Sequence, residues 1–366
     1  MPTPSRVVVV PQELGKPLEV LDCVLPDPGP HEVVVKQYAS GICHSQLHTI
    51  HSPRTQAQIL GHESTGVITA TGRAVLGLAV GDTVMVTWVP KDRHHARREG
   101  ELMTLELPDG RRAESRNVFT WATHTLADEM FVVKVPADID RETTAIIGCA
   151  VITGAGAVLH TAAVQPGDSV AIFGAGGVGL SAVAAARKCG ADPIIVVDLS
   201  EEKLDFARQF GATHGVNASE VDPVAAIREL TVQPGRYDIL RQPLRGVDFA
   251  FDCIGAPVTM GQIAKCIRSG EFGQSRGGVA VLVGVPQTSL ELDSRFLFIG
   301  ERSYRASLGG SCVPAEDLPR FLDWYASGDL DLDALVTRRY GIDDIGEAVV
   351  DLEHGRIAGR SILVFD

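Results

Sequence analysis

The chain has 366 residues, enough for two domains, and 45% hydrophobic residues, enough for sizeable cores. A formal net charge of −13 argues against a nucleic-acid or anionic-membrane surface. No apolar run approaches the ~18 residues of a membrane span, and the start, Met-Pro-Thr-Pro-Ser-Arg before four valines, lacks a signal-peptide core. Seven cysteines, an odd number without regular spacing, read as reduced thiols in a cytoplasmic protein.

Short strands between turn residues come first: Val7–Val10, Glu19–Val24, Glu32–Gln37, Gly66–Thr71 and Thr83–Val86. Residues 91–116 are charged and read as an exposed lobe, with a hairpin near Pro108-Asp109-Gly110. From about Thr143 the texture changes. Thr144–His160 has a small-residue helical pattern. Strands at Ser169–Phe173, Ile194–Asp198, Val247–Asp252 and Val279–Val283 then alternate with helices at Gly179–Gly190, Glu201–Phe210, Ala225–Leu230 and Met260–Ser269. That rhythm predicts an α/β doubly wound parallel sheet. The tail, 314–366, ends in a closing strand at Ile362–Phe365; Tyr237–Gly246 reads as a small insertion without a role.

Three residues read as one zinc site: Cys43 in Gly-Ile-Cys-His-Ser, His62 in Gly-His-Glu, and Cys149 in Gly-Cys-Ala. Two thiolates and one imidazole leave a tetrahedral zinc one position short, as a catalytic zinc requires. About 25 residues later, Phe173 ends an apolar strand and Gly174-Ala-Gly176-Gly177-Val178-Gly179 opens a helix. Such a turn lets backbone approach a pyrophosphate at the helix N-terminus. Asp198 closes the next strand 19 residues past Gly179. A carboxylate there accepts from the adenosine ribose and repels a 2′-phosphate, which predicts NAD over NADP. A glycine turn without nucleotide is the plain alternative.

On these motifs, together with Thr153-Gly154, Val283-Gly-Val-Pro286 and Gly359-Arg-Ser-Ile-Leu, the chain resembles the zinc-containing medium-chain alcohol dehydrogenases over nearly its whole length. The resemblance implies a GroES-like β-rich catalytic domain (1–150 and 309–366) split around a Rossmann domain (151–308), with the active site in the cleft. It implies that Cys43, His62 and Cys149 hold the catalytic zinc, with Glu63 a carboxylate behind it. Ser45 would hydrogen-bond the alcohol and His48 pass its proton to solvent. Ser45 could instead cap a helix, and His48 could be a surface histidine. His44 and Arg360 match pyrophosphate contacts, and Lys203 a ribose contact. Thr153, Val178 and Val283 fall at cofactor positions, Trp88 and Ala127 at substrate-pocket positions. Packing or solvated charge is the alternative for each.

Two departures stand out. The stretch 88–117 has no cysteine where larger relatives bind a structural zinc, so one zinc per chain is expected and His94-His95 reads as solvated. Gln46 replaces the aspartate usual beside the ligand histidine. The expected activity is hydride transfer between NAD(H) and a hydrophobic primary or secondary alcohol, or its aldehyde or ketone; an aldehyde adduct stays open as substrate. Two alternatives stand beside it: a nicotinoprotein that keeps its NAD and uses an external acceptor, and a silent nucleotide-binding protein on the same scaffold. Phe296–Ile299 and Tyr304–Leu308 resemble edge strands that pair across a two-fold axis, which predicts a homodimer or homotetramer.

Overall fold

The computed structural model describes residues 2–95, 103–271, 273 and 275–365, and the chain divides into two compact units. The first comprises Met1–Ala150, Val313–Ser327 and Leu332–Asp366; the second comprises Val151–Cys312 and Gly328–Asp331. Among the described residues no helix is long and apolar enough to cross a membrane.

The first unit is built on two sheets. One runs in the order Glu19–Leu25, Thr3–Val10, Ala57–Ile59, Arg112–Ser115, Met103–Glu106. The other runs Val132–Lys134, Thr83–Thr87, Glu63–Thr71, Glu32–Ile42, Arg360–Val364, Val336–Tyr340, with His124–Asp128 also pairing Glu32–Ile42. The four valines at 7–10 show why a single strand is buried on both faces. Successive side chains point to opposite sides. Val7 and Val9 enter one core with Cys23, Leu25 and Phe119, while Val8 and Val10 enter another with Ile42, Trp121 and Leu363. Each buried valine contributes roughly 1.5–3 kcal/mol, so the run ties two cores together.

The segment expected to be an exposed lobe is a structural part of the first sheet. Residues 96–102 lie outside the described residues, but Met103–Glu106 pairs with Arg112–Ser115 in a hairpin that turns at Gly110, where φ is +83°. Met103, Leu105, Leu107 and Ala113 are buried in the core of Val7 and Val9. The alternation Met-Thr-Leu-Glu-Leu carries this face.

The second unit is a six-stranded, all-parallel sheet: His214–Asn217, Ile194–Asp198, Val170–Phe173, Phe249–Asp252, Val279–Leu282, Ser303–Ala306. Its four inner strands are near-continuous apolar runs because helices cover both faces, while the two outer strands, His214–Asn217 and Ser303–Ala306, are more polar. Strand order reverses on either side of Val170–Phe173, and at such a switch point ligands bind beyond the carboxyl ends of the strands. Helix Glu201–Phe210 begins with Ser200 accepting from Lys203 N and stops at Gly211, where φ is +118°.

Two expected elements differ. Phe296–Ile299, expected as an edge strand, lies in the helix Ser294–Ile299, because Asp293 accepts from Arg295 N and Phe296 N and so caps a turn. The helical pattern at 144–160 is broken: a 3₁₀ stretch (Thr143–Gly148), then α (Ala150–Gly156), then π (Ala157–Ala162). Cys149 sits in the first break with φ −140° and ψ −64°.

Candidate active site

Cys43, His62 and Cys149 all lie in the first unit, and each comes from the end of an element. Cys43 follows the long strand Glu32–Ile42 and precedes helix Ser45–His51; His62 precedes strand Glu63–Thr71; Cys149 occupies the helical break. Neighbouring contacts fix these ends. Trp121 Nε1 donates to Gly41 O at 3.1 Å, and Thr87 Oγ1 donates to Gly148 O at 2.6 Å.

Cys43 Sγ and Cys149 Sγ are 3.9 Å apart, and His62 Nε2 is 3.2 Å from Cys149 Sγ. A tetrahedral zinc with bonds of about 2.3 Å to sulfur and 2.0–2.1 Å to nitrogen sets those separations at about 3.8 and 3.6 Å. The residues present therefore fit the ion. Glu63 offers a fourth donor, all four groups having ligand atoms within 4.8 Å of one another. The hydrogen bond from Cys149 holds Cys43 well below the ordinary thiol range against burial, helped by Arg360 and His62. The same bond, then burial, pushes Cys149 well above it.

Behind this triangle lies a buried ion pair. Arg360, 5% exposed, contacts Glu63, 0% exposed, through Nη2 and Oε1; Ala150 N lies 3.3 Å from Glu63 Oε2. Burial pushes the Glu63 carboxyl up and Arg360 pulls it back. Burial also works against the charged Arg360, but the charges of Glu63 and both cysteines raise it overall. A side chain on Gly41 would collide with the Glu63 carboxylate, so only glycine leaves room for it.

Ser45 Oγ donates to Cys43 Sγ at 3.2 Å, and the helix cap is His44, so the hydroxyl faces the sulfur rather than capping the helix. His48 is half-buried one turn further on, and His44 is exposed. Gln46 receives Gly61 N on Oε1 at 2.9 Å and places Nε2 2.6 Å from His62 Nδ1. The Trp88 ring packs edge-on to His62, centroids 6.4 Å apart, and its Nε1 is buried without a partner among the described residues.

In the second unit the glycine turn follows Val170–Phe173. Gly174 has φ +96°, and a side chain on Gly179 would strike the Gly174 carbonyl. Around Gly176, by contrast, there is open space, so backbone is bare there for a phosphate to approach. Gly177 and Val178 open the helix Gly177–Lys188. Asp198 Oδ2 accepts from Ala175 N at 2.8 Å, and Oδ1 accepts from Leu199 N and Ser200 N at 2.8 and 3.1 Å. Val283 follows the strand Val279–Leu282 and is buried. Thr153 Oγ1 is a buried hydroxyl with no partner among the described residues. Lys203 is half-buried and makes no ion pair among them.

Residues 29–137 match the alcohol dehydrogenase GroES-like domain and residues 177–327 match the zinc-binding dehydrogenase family. The chain is 32% identical to an alcohol dehydrogenase class-3 of Cereibacter sphaeroides, over 96% of its own length and 98% of the relative's. An S-(hydroxymethyl)glutathione dehydrogenase of Paracoccus denitrificans matches at 32% identity with the same coverage. Among solved structures, an alcohol dehydrogenase zinc-binding domain protein from Burkholderia ambifaria superposes with a TM-score of 0.86 at 30% identity, and benzyl alcohol dehydrogenase from Acinetobacter calcoaceticus with 0.84 at 29%, both covering 100% of each chain. The chain belongs to the zinc-containing medium-chain alcohol dehydrogenases. It is an oxidoreductase with the GroES-like and Rossmann parts of that family.

The structure bears on two expectations for this alcohol dehydrogenase. Arg360, expected at a pyrophosphate, contacts Glu63 through Nη2 and keeps a buried Nε without a partner among the described residues. A charge inside the buried strand Arg360–Val364 needs an internal partner, and Glu63 supplies it. Ala127, expected to line the substrate pocket, is fully buried in the core with Val33, Val35, Ile68 and Val84. Its strand pairs Ala127 with Val33, which turns the small side chain into sheet packing. Nothing in the sequence announced the pairing of residues 63 and 360, although an arginine within an apolar strand was itself a signal.

Proposed function

We propose that the protein interconverts small, largely apolar primary or secondary alcohols and their aldehydes or ketones, with NAD(H) as exchangeable hydride partner and one zinc per chain. The observation that carries this is the Cys43–His62–Cys149 triangle, whose spacing fits the ion. Zinc held there supplies Lewis-acid polarisation of an alcohol or carbonyl oxygen. NAD held at the glycine turn supplies the two-electron acceptor.

This chain's residues provide the rest. Ser45 must relay rather than act as a base, since a hydroxyl does not ionise near neutral pH; it takes the alcohol proton as it gives up its own. His48, on the same short helix, carries that proton to solvent. The Asp198 carboxylate, fixed by three backbone N–H groups, accepts the ribose hydroxyls and disfavours a 2′-phosphate. Lys203 and Val283 flank the adenosine end, and Thr153 and Val178 the nicotinamide, where the unpartnered Thr153 hydroxyl gains a partner. Trp88 offers a flat apolar wall beside His62, which suits benzylic and longer alcohols; the benzyl alcohol dehydrogenase of similar fold points the same way. The chain forms a homodimer or homotetramer through the outermost strand Ser303–Ala306, beside which Leu308 is exposed.

The test is metal content together with turnover. Wild type is expected to hold one zinc per chain and oxidise benzyl alcohol with NAD in preference to NADP. Cys43→Ala and His62→Ala should lose both zinc and turnover. Unaltered turnover in Cys43→Ala overturns the reading, and NAD that stays bound through gel filtration favours the nicotinoprotein alternative.

A further inference from the structure

The second unit carries a cleft that the proposed reaction does not use. It has a volume of about 350 Å³, within the size range of small-molecule sites. Its walls come from the end of helix Pro223–Leu230, the hairpin of Gln233–Tyr237 with Pro243–Leu244, the helix Ser294–Ile299, and Arg302 just ahead of the last strand. These segments lead into the amino ends of strands Phe249–Asp252 and Ser303–Ala306. The glycine turn lies at the carboxyl end of Val170–Phe173, parallel to them in the same sheet. The cleft is therefore at the opposite edge from the dinucleotide turn.

Its charge is unbalanced. Arg228, Arg245, Arg295 and Arg302 line it, and none makes an ion pair among the described residues. The two carboxylates at its rim are engaged with backbone: Asp238 accepts from Leu240 N and Gln242 N, each at 2.9 Å, and Asp293 accepts from Arg295 N and Phe296 N at 2.9 and 3.1 Å. Close by, Arg236 and Arg268 do have partners, Glu271 and Asp248. Four arginines against two carboxylates leave an excess of positive charge in one hollow of a chain with net charge −13, with Asp238 offsetting part of it at Arg228 and Arg302. Burial and then Arg245 hold Arg228 below the ordinary guanidinium range. Burial and then Arg228 bring Arg302 down to about 10. Arg302 is fixed in place: Nε donates to Ile267 O at 3.2 Å, Nη1 donates to Phe296 O at 2.9 Å, and the guanidinium lies 3.8 Å from the Phe296 ring centroid. Leu244, 1% exposed, adds an apolar floor.

We propose that this cleft is a second ligand site that takes a small phosphate ester, the phosphate held between Arg228, Arg245 and Arg295 and the apolar body laid against Leu244 and Phe296. A planar guanidinium presents paired donors that match two phosphate oxygens, and three of them around one dianion relieve their mutual repulsion. The hairpin at 237–246 thereby acquires a function, since it supplies Leu244 and Arg245 to the site.

The test is calorimetric titration of the full chain with phenyl phosphate and with inorganic phosphate, in excess NAD so that the glycine turn is occupied. One phenyl phosphate per chain is expected, bound at least about fivefold tighter than inorganic phosphate because of its ring. Arg245→Gln with Arg295→Gln, both exposed and so harmless to folding, should weaken it at least about tenfold and flatten its salt dependence. Absence of saturable binding overturns the proposal, as does equal affinity in the double variant. A double variant that binds phenyl phosphate unchanged but falls to a smaller oligomer by light scattering also overturns it, and makes the cleft a surface between copies of the chain.

Discussion

Replacing Arg360 with leucine tests the buried pair beneath the metal triangle. Glu63 is 0% exposed and Arg360 5%, so the variant leaves a carboxylate with no water and no counter-charge. Removing one member of a buried pair costs about 3–5 kcal/mol, most of it the penalty of the orphaned partner. The Gly41 backbone closes over the Glu63 carboxylate, so little solvent can enter to reduce that cost. For a unit of this size, each kcal/mol moves the melting temperature by about 2–4 °C, giving an expected fall of about 6–20 °C. Scanning calorimetry on metal-stripped protein isolates the effect from zinc binding. Glu63→Leu alone should cost a similar amount, and Glu63→Leu with Arg360→Leu much less than the two singles together, since two apolar groups leave no charge behind. A fall of less than about 3 °C in Arg360→Leu, or strictly additive singles, would refute the argument.

Gln46→Asp should hold zinc about tenfold or more tightly, read as slower loss to a chelator. A histidine that binds metal through Nε2 carries its proton on Nδ1, yet Gln46 has one oxygen for two donors, Gly61 N and His62 Nδ1, while a carboxylate has an oxygen for each; unchanged zinc loss would defeat that account. Asp198→Ala should raise kcat/KM with NADP relative to NAD by at least about tenfold, by removing the charge that repels a 2′-phosphate; an unshifted ratio counts against Asp198 as the discriminator. Asp248 should make stability depend on pH. Burial pushes its carboxyl up, but hydrogen bonds from Ser169 and Arg268 outweigh this and hold it below the usual range. Its stabilisation is complete above the unfolded value near 3.9 and drains as pH falls through the lower folded value. Asp248→Asn should therefore melt lower than wild type at pH 7, by the equivalent of about 1–3 kcal/mol, and the gap should close below about pH 4; a gap independent of pH excludes the carboxylate charge as its source.

What the sequence revealed and what it hid divide along the range of the interaction. Val7–Val10 and the runs at 170–173 and 194–198 were legible because a strand's side-chain alternation, or its continuous burial, is written in neighbouring residues. Cys43, His62 and Cys149 were legible by chemistry, since few tasks require a thiolate, an imidazole and a thiolate flanked by glycines. The apolar run Phe-Leu-Phe-Ile at 296–299 was ambiguous, because four apolar residues fit a strand or a helix equally; Asp293, which caps the turn, was the local feature that should have decided it. Ala127 misled because a small residue in a strand reads the same whether it opens a pocket or packs a sheet, and only its pairing with Val33 distinguishes the two. The Glu63–Arg360 pair spans 297 positions, so no periodicity could join its members. Each was nonetheless a charge inside an apolar strand, and a charge there must be paired or neutralised. Arg245 and Arg295 are exposed charges that water solvates, so what singles out the unassigned hairpin is that it brings Leu244 and Arg245 into one cleft with Arg228, Arg295 and Arg302, none of them ion-paired among the described residues.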